Sequence, residues 1–122
     1  MEGWKTDDLA LIGDTDAIEV AAHASGQLTK PVPVWVVRVN DNLYVRSYRG
    51  HVGAWFRAAQ ASGQGRIWAG DEARDVAFVA ETDPVINDQI DAAYGTKYGH
   101  SPYAGAMVAP EVRTTTLKLL PR

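Results

Sequence analysis

The chain has no cysteine among its 122 residues. Disulfide frameworks, thiolate zinc centres and cysteine nucleophiles are therefore excluded. It also lacks any apolar run near the roughly 20 residues that a membrane-spanning helix needs. The stretch from Met1 to Thr6 is polar with one tryptophan and has no apolar core of the signal-peptide kind. The expectation is a cytoplasmic protein with no membrane partner. Its three histidines, His23, His51 and His100, have no metal-ligand spacing, and no local carboxylate pair completes a site. No metal is expected, and no serine nucleophile elbow is visible. A net charge of −3 argues against nucleic acid as the partner.

What remains fits one domain spanning residues 1–122, with 46% apolar and 22% charged residues, ordinary values for a globular chain. The charge is unevenly placed. Residues 1–29 hold six acids against Lys5, a net of −5. Residues 38–66 hold Arg38, Arg46, Arg49, Arg57 and Arg66 against Asp41, a net of +4. A short positive segment on an acidic chain suits a small anion better than a long polyanion.

Thr6 followed by Asp7 and Asp8 predicts a short helix ending near Gly13. Ala17 to Ala24 alternates as a half-buried strand does. Val32 to Val39 ("VPVWVVRV") is β-branched and aromatic, and Asn40-Asp41-Asn42 offers a tight hairpin into a returning strand, Leu43 to Tyr48. After the Gly50–Gly53 turn, "AWFRAAQAS" reads as a helix stopped by Gly63. Arg66–Ala69 and Arg74–Ala80 form a second predicted hairpin. Asp83-Pro84 opens a helix to Tyr98, with Asp88 and Asp91 on a solvated face opposite its apolar stripe. Residues 100–113 are expected to be irregular, and "TTTLKLL" to be a last strand. About six strands and three helices predict an α+β domain, a small six-stranded antiparallel split β-barrel with flanking helices.

The junction "LYVRSYRGHVGAWFRAA", residues 43–59, gathers the arginines. On an extended strand Tyr44, Arg46 and Tyr48 share a face, and a guanidinium between rings still presents its planar fork to an oxyanion. Gly50 and Gly53 allow close backbone approach. A helix beginning at Ala54 points its free N–H groups into the same region. These features fit a phosphate or carboxylate site. They fit equally well a solvated surface on which the arginines pair with Asp41, Asp71, Glu72 and Asp75.

The ordered segments "PVWVVRVNDNLYVRSYRG", "AWFRAAQASGQGRI", "RDVAFVAE", "IDAAYGTKYG" and "TTTLKLLPR" resemble a bacterial family of uncharacterised proteins, domain of unknown function 2255, over nearly the whole chain. That family resembles the FMN-binding split-barrel group, which includes pyridoxamine-phosphate oxidase-like proteins and deazaflavin-dependent nitroreductases. Gly50 to Ala59 is similar to the nitroreductases' glycine loop leading into a "PAWYHNL"-like helix, although Gly53-Ala54 stands where that motif has a proline. The resemblance implies a cofactor phosphate, of FMN or a deazaflavin, held at a homodimer interface. By position it puts Arg46 and Ser47 on the phosphate-facing strand, Arg49 in the next basic position, Ala54 at the helix start, and Trp55 and Arg57 on the helix.

Tyr48, His51 and Tyr98 are candidates to line a substrate pocket. His51 can serve as an acid or base near neutral pH or simply face solvent, and Tyr98 can equally be a structural cap. Three functions follow. One is a flavin-type oxidoreductase of small molecules, in which the cofactor carries the chemistry. Another is a cofactor-free split-barrel enzyme, an isomerase or cyclase acting through His51, tyrosines and arginines. The third is a non-enzymatic small-molecule binder. A homodimer is expected because so small a barrel with four tryptophans has apolar surface to spare.

Overall fold

Val32 to Val39 is the strand on which the architecture turns. It bends at Trp35 into β3 (Val32–Val34) and β4 (Val36–Val39). β3 pairs with β1 (Ile18–Ala24), Val34 opposite Ile18, while β4 pairs with β5 (Asn42–Val45), Val36 opposite Val45. The ladder then runs antiparallel from β5 to β8 (Leu117–Pro121), to β7 (Glu72–Ala80), to β6 (Gln64–Ala69) and back to β1. One bent strand thus closes a six-stranded antiparallel barrel, an α+β fold as expected. A two-residue strand, β2 (Gln27–Leu28), turns back on the end of β1. The computed structural model describes residues 3–122; Met1 and Glu2, part of the polar N-terminal stretch, lie outside them.

Period-2 alternation explains why β4 and β5 are apolar on both faces. Val36, Leu43 and Val45 point into the barrel with Ile18, Val20, Ile67, Val76 and Leu119. Val37 and Tyr44 point outward onto a second core built with Ile90, Tyr94, Tyr98, Met107 and Val112. The helix supplying most of that second core is α3 (Pro84–Tyr98). Its Asp83 cap accepts from the backbone N–H groups of Val85 (2.8 Å) and Ile86 (3.3 Å). On the other side, α1 (Thr6–Gly13) contributes Leu9 and Ile12, and α2 (Ala54–Ser62) contributes Trp55, Phe56 and Ala59. α2 ends as predicted, at Gly63 with φ +72°.

The expected strands at 66–69 and 74–80 start earlier, at Gln64 and Glu72. The strand expected over Leu43–Tyr48 ends at Val45. Tyr44, Arg46 and Tyr48 therefore do not share a strand face; Tyr44 is buried against α3 and Tyr48 is exposed. Residues 100–113, expected to be irregular, hold two one-turn helices, α4 (Ala104–Met107) and α5 (Pro110–Arg113). Thr114 to Thr116 do not join the last strand. Their segment turns instead, as the Thr115 and Thr116 hydroxyls donate back to the carbonyls of Val112 and Arg113, at 2.6 and 2.7 Å. No helix among the described residues is long and apolar enough to cross a membrane.

Candidate functional site

A cleft of about 640 Å³ opens beside the bend of the barrel strand. Its apolar wall is Val32 to Trp35 with Trp55 of α2. It is also lined by Arg46, Ser47, Tyr48 and Arg49 from the turn after β5, with Gly53 and Ala54 at the start of α2. Tyr103 and Met107, from the α4 region, complete the rim. Such a volume is in the range of small-molecule sites.

The turn is built by short-range hydrogen bonds. Ser47 donates its hydroxyl to the Gly50 carbonyl (2.8 Å), and its backbone N–H to the Thr115 hydroxyl (2.8 Å). Gly50 takes φ +68°, a conformation that favours glycine. A Cβ at residue 53 would stand 2.8 Å from the Ser47 hydroxyl oxygen, so a side chain there would push that hydroxyl off the Gly50 carbonyl it holds. α2 begins with no side chain capping its first N–H groups. Those groups and the positive end of the helix dipole adjoin the cleft.

Arg46 does not face that opening. Its side chain is 0% exposed, and its donors all have partners inside the protein. Nε donates to the Thr116 hydroxyl at 2.8 Å. Nη1 donates to Asp91 Oδ1 (2.5 Å) and the Met107 carbonyl (3.0 Å). Nη2 donates to the Asn87 carbonyl (3.3 Å) and side-chain oxygen (3.0 Å). A guanidinium has five N–H groups, so none remains for a phosphate. This corrects the expected role of Arg46 as an anion contact. Its ring neighbour is also a different one: the guanidinium carbon lies 5.4 Å from the Tyr94 ring centroid.

Asp91 therefore belongs to the interior network rather than to a solvated face. Its second oxygen accepts from Arg113 (2.7 Å), which also reaches Asp88 (2.8 Å). The signal was present in the spacing. Asn87, Ile90, Asp91, Tyr94 and Tyr98 recur at three- and four-residue intervals, one helix face. Reading the two aspartates as a pair concealed that only Asp88 points away.

The other expected site residues divide. Arg49 lines the cleft, is exposed, and has no ion-pair partner among the described residues. Ser47, Tyr48, Ala54 and Trp55 line the cleft as well. Arg57 is exposed on α2, and the cleft walls do not include it. His51 lies outside too. Its Nε2 stands 2.7 Å from the Thr114 hydroxyl, whose own hydrogen goes to the Glu111 carbonyl (2.6 Å), so Nε2 is the donor. Tyr98 backs the cleft without lining it. Its ring stacks on Trp35 with centroids 4.0 Å apart, and its hydroxyl reaches the Val36 carbonyl at 3.1 Å. Burial pushes its phenol well above the ordinary 10.0. The sequence reading missed Val32–Trp35, Tyr103 and Met107 as walls of this cleft. Of the acids offered as partners for the junction's arginines, Asp41, Asp75 and Glu72 pair with Arg38, Arg66 and Arg74 instead, and among the described residues none pairs with Arg46, Arg49 or Arg57. Among the described residues no group of three or more metal-ligating side chains occurs.

Solved structures of similar shape are split-barrel proteins. A provisionally assigned pyridoxamine 5'-phosphate oxidase from Listeria innocua matches with TM-score 0.64 and 10% identity, over 95% of this chain and 90% of that one. A FAD-binding protein from Mesorhizobium loti matches at 0.61 and 13%, over 97% and 88%. HutZ, the heme storage protein from Vibrio cholerae, matches at 0.67 and 14%, over 96% and 87%. At these identities the likeness is one of fold, the split β-barrel. No curated protein matches the chain. The family model for an uncharacterized protein conserved in bacteria (DUF2255) matches residues 8–119, and the chain belongs to that family.

Proposed function

We propose that this protein binds a flavin-type cofactor, FMN or a deazaflavin, and acts as a homodimeric oxidoreductase of small molecules. The observation that carries the reading is an apolar cleft with one uncommitted guanidinium, Arg49, beside an uncapped helix start. That is a fit for a flat ring bearing a phosphate. Arg49 and the N–H groups at Ala54 and Trp55 would hold the phosphate. Trp35, Val34 and Trp55 would flank the ring and exclude water from it. When bound, the flavin supplies hydride or single-electron transfer. The FAD-binding neighbour from M. loti supports the reading. So does the exposed apolar surface at the rim, with Tyr48 at 56%, Tyr103 at 59% and nearby Val52 at 76% exposure, which a second copy would cover.

With Arg46 and Ser47 engaged internally, Arg49 is the one side-chain cation left for a ligand among the described residues that line the cleft. This favours a single phosphate or carboxylate over a pyrophosphate. It equally supports the second reading, a cofactor-free enzyme or non-enzymatic binder of a small organic anion in the same cleft. Titration of FMN and a deazaflavin by fluorescence separates the two. The flavin reading expects one of them to bind at tens of micromolar or tighter, about tenfold weaker in Arg49→Ala, and unchanged in Arg66→Ala, which does not line the cleft. Failure of the wild type to bind either cofactor moves the anion reading to first place.

A further inference from the structure

From its own turn Arg46 reaches three other stretches of chain at once: α3 through Asn87 and Asp91, the end of α4 through the Met107 carbonyl, and the turn before β8 through Thr116. Two of these four stretches, its own turn and α4, both line the cleft and adjoin there, the Tyr48 and Tyr103 rings meeting edge to face with centroids 6.3 Å apart. The partners are themselves held. Asn87 Nδ2 donates to the carbonyls of Glu81 (3.0 Å) and Asp83 (3.1 Å), which fixes its oxygen toward the guanidinium. Arg113 holds the far oxygen of Asp91 and also donates to the Pro84 carbonyl at 3.1 Å. Two cations alternate with two anions, Arg46, Asp91, Arg113 and Asp88, so the network carries no net charge. No buried side-chain nitrogen or oxygen among the described residues lacks a partner. α4 is one turn long, too short to hold its own place.

We propose that Arg46, with Asp91 behind it, is the positioning residue of the cleft: it sets the distance between the Ser47–Gly53 turn, which carries Arg49, and the α4 wall of Tyr103 and Met107. It acts on a ligand without touching the ligand's charge. For the ligand arm the inference rests on the reading of this cleft as a binding site; the arrangement of the walls can be tested without one.

Asp91→Asn is the informative variant. It is isosteric, lies outside the cleft, and weakens the network at its centre. Hydrogen–deuterium exchange of the ligand-free protein should show amides of residues 47–53 and 103–109 exchanging at least tenfold faster than in wild type. Those of β6, which no member of the network touches, should be unchanged. Arg46→Lys, which keeps the charge but not the fork, should fall between the two. In FMN titrations Asp91→Asn should raise Kd while leaving its salt dependence as in wild type, since no phosphate contact is lost. Uniform acceleration across the barrel, or none anywhere, would overturn the inference. So would a lost salt dependence in Asp91→Asn. If wild type binds neither FMN nor a deazaflavin, the flavin reading fails, and the exchange pattern still decides the positioning role.

Discussion

Arg46 and Arg49 stand three residues apart in one turn and line the same cleft, yet one is sealed inside and the other faces solvent. The difference lies in what surrounds each guanidinium. Arg46 directly follows β5 and reaches α3, within range of a carboxylate, an amide, a hydroxyl and two carbonyls. Removing a charge of that kind from water is tolerable only when every donor is met. Arg49 lies beyond Ser47 and is exposed, and among the described residues its guanidinium has no ion-pair partner. Positive charge near a cleft therefore does not identify the residue that binds an anion. The identity follows from which donors the fold has already engaged.

Stability should separate the pair most sharply. Arg46→Ala empties a buried site and takes a charged partner from Asp91, Asn87, Thr116 and the Met107 carbonyl, and should cost about 3–5 kcal/mol in denaturant unfolding. Arg49→Ala should stay within about 0.5 kcal/mol of wild type. Equal losses would erase the distinction. Next in size is Gly53→Ala, whose Cβ meets the Ser47 hydroxyl oxygen at 2.8 Å. Overpacking of this sort costs about 1–3 kcal/mol. It should displace the Arg49 turn, so ligand affinity falls along with the melting temperature.

A gentler effect is expected in alkali. Burial raises the Tyr94 phenol above the ordinary 10.0, offset in part by the Arg46 charge, and burial likewise raises Tyr98. Above pH 10 the unfolded chain loses these protons and the folded chain keeps them, so stability is intact below that pH and declines as pH rises beyond it. Burial of Lys97 lowers its ammonium from 10.5, which acts with the opposite sign and cancels part of the slope. Tyr94→Phe/Tyr98→Phe should flatten the decline; an unchanged profile would place its origin elsewhere. Smallest of all should be His51→Ala, which loses one exposed hydrogen bond to Thr114. It should shift stability by no more than about 1 kcal/mol and leave ligand affinity alone.

Much of the barrel was legible because β-strand alternation and helix punctuation are local. The Val32–Val39 run, the Asn40 hairpin with φ +56° and the Gly63 stop depend on nearby residues. The bend at Trp35 was not legible, since it arises from the two halves of one strand pairing with different neighbours. Nor was the fate of Arg46, whose bonds reach residues 41 to 70 positions away. The positive junction could be read from the sequence; which arginine was free could not. The threonines before β8 show the same limit, because their hydroxyls close a turn where their β-branched side chains suggested a strand.

The most direct test of the account is the affinity for FMN measured across a range of salt concentrations in wild type, Arg49→Ala and Arg46→Lys. A phosphate contact contributes to the salt dependence of binding through charge screening, whereas a positioning contact does not. The account predicts that wild type binds with a clear salt dependence, that Arg49→Ala loses most of it, and that Arg46→Lys binds more weakly with the wild-type dependence intact. It is contradicted if wild type binds neither FMN nor a deazaflavin, or if the salt dependence disappears with Arg46 and survives the loss of Arg49.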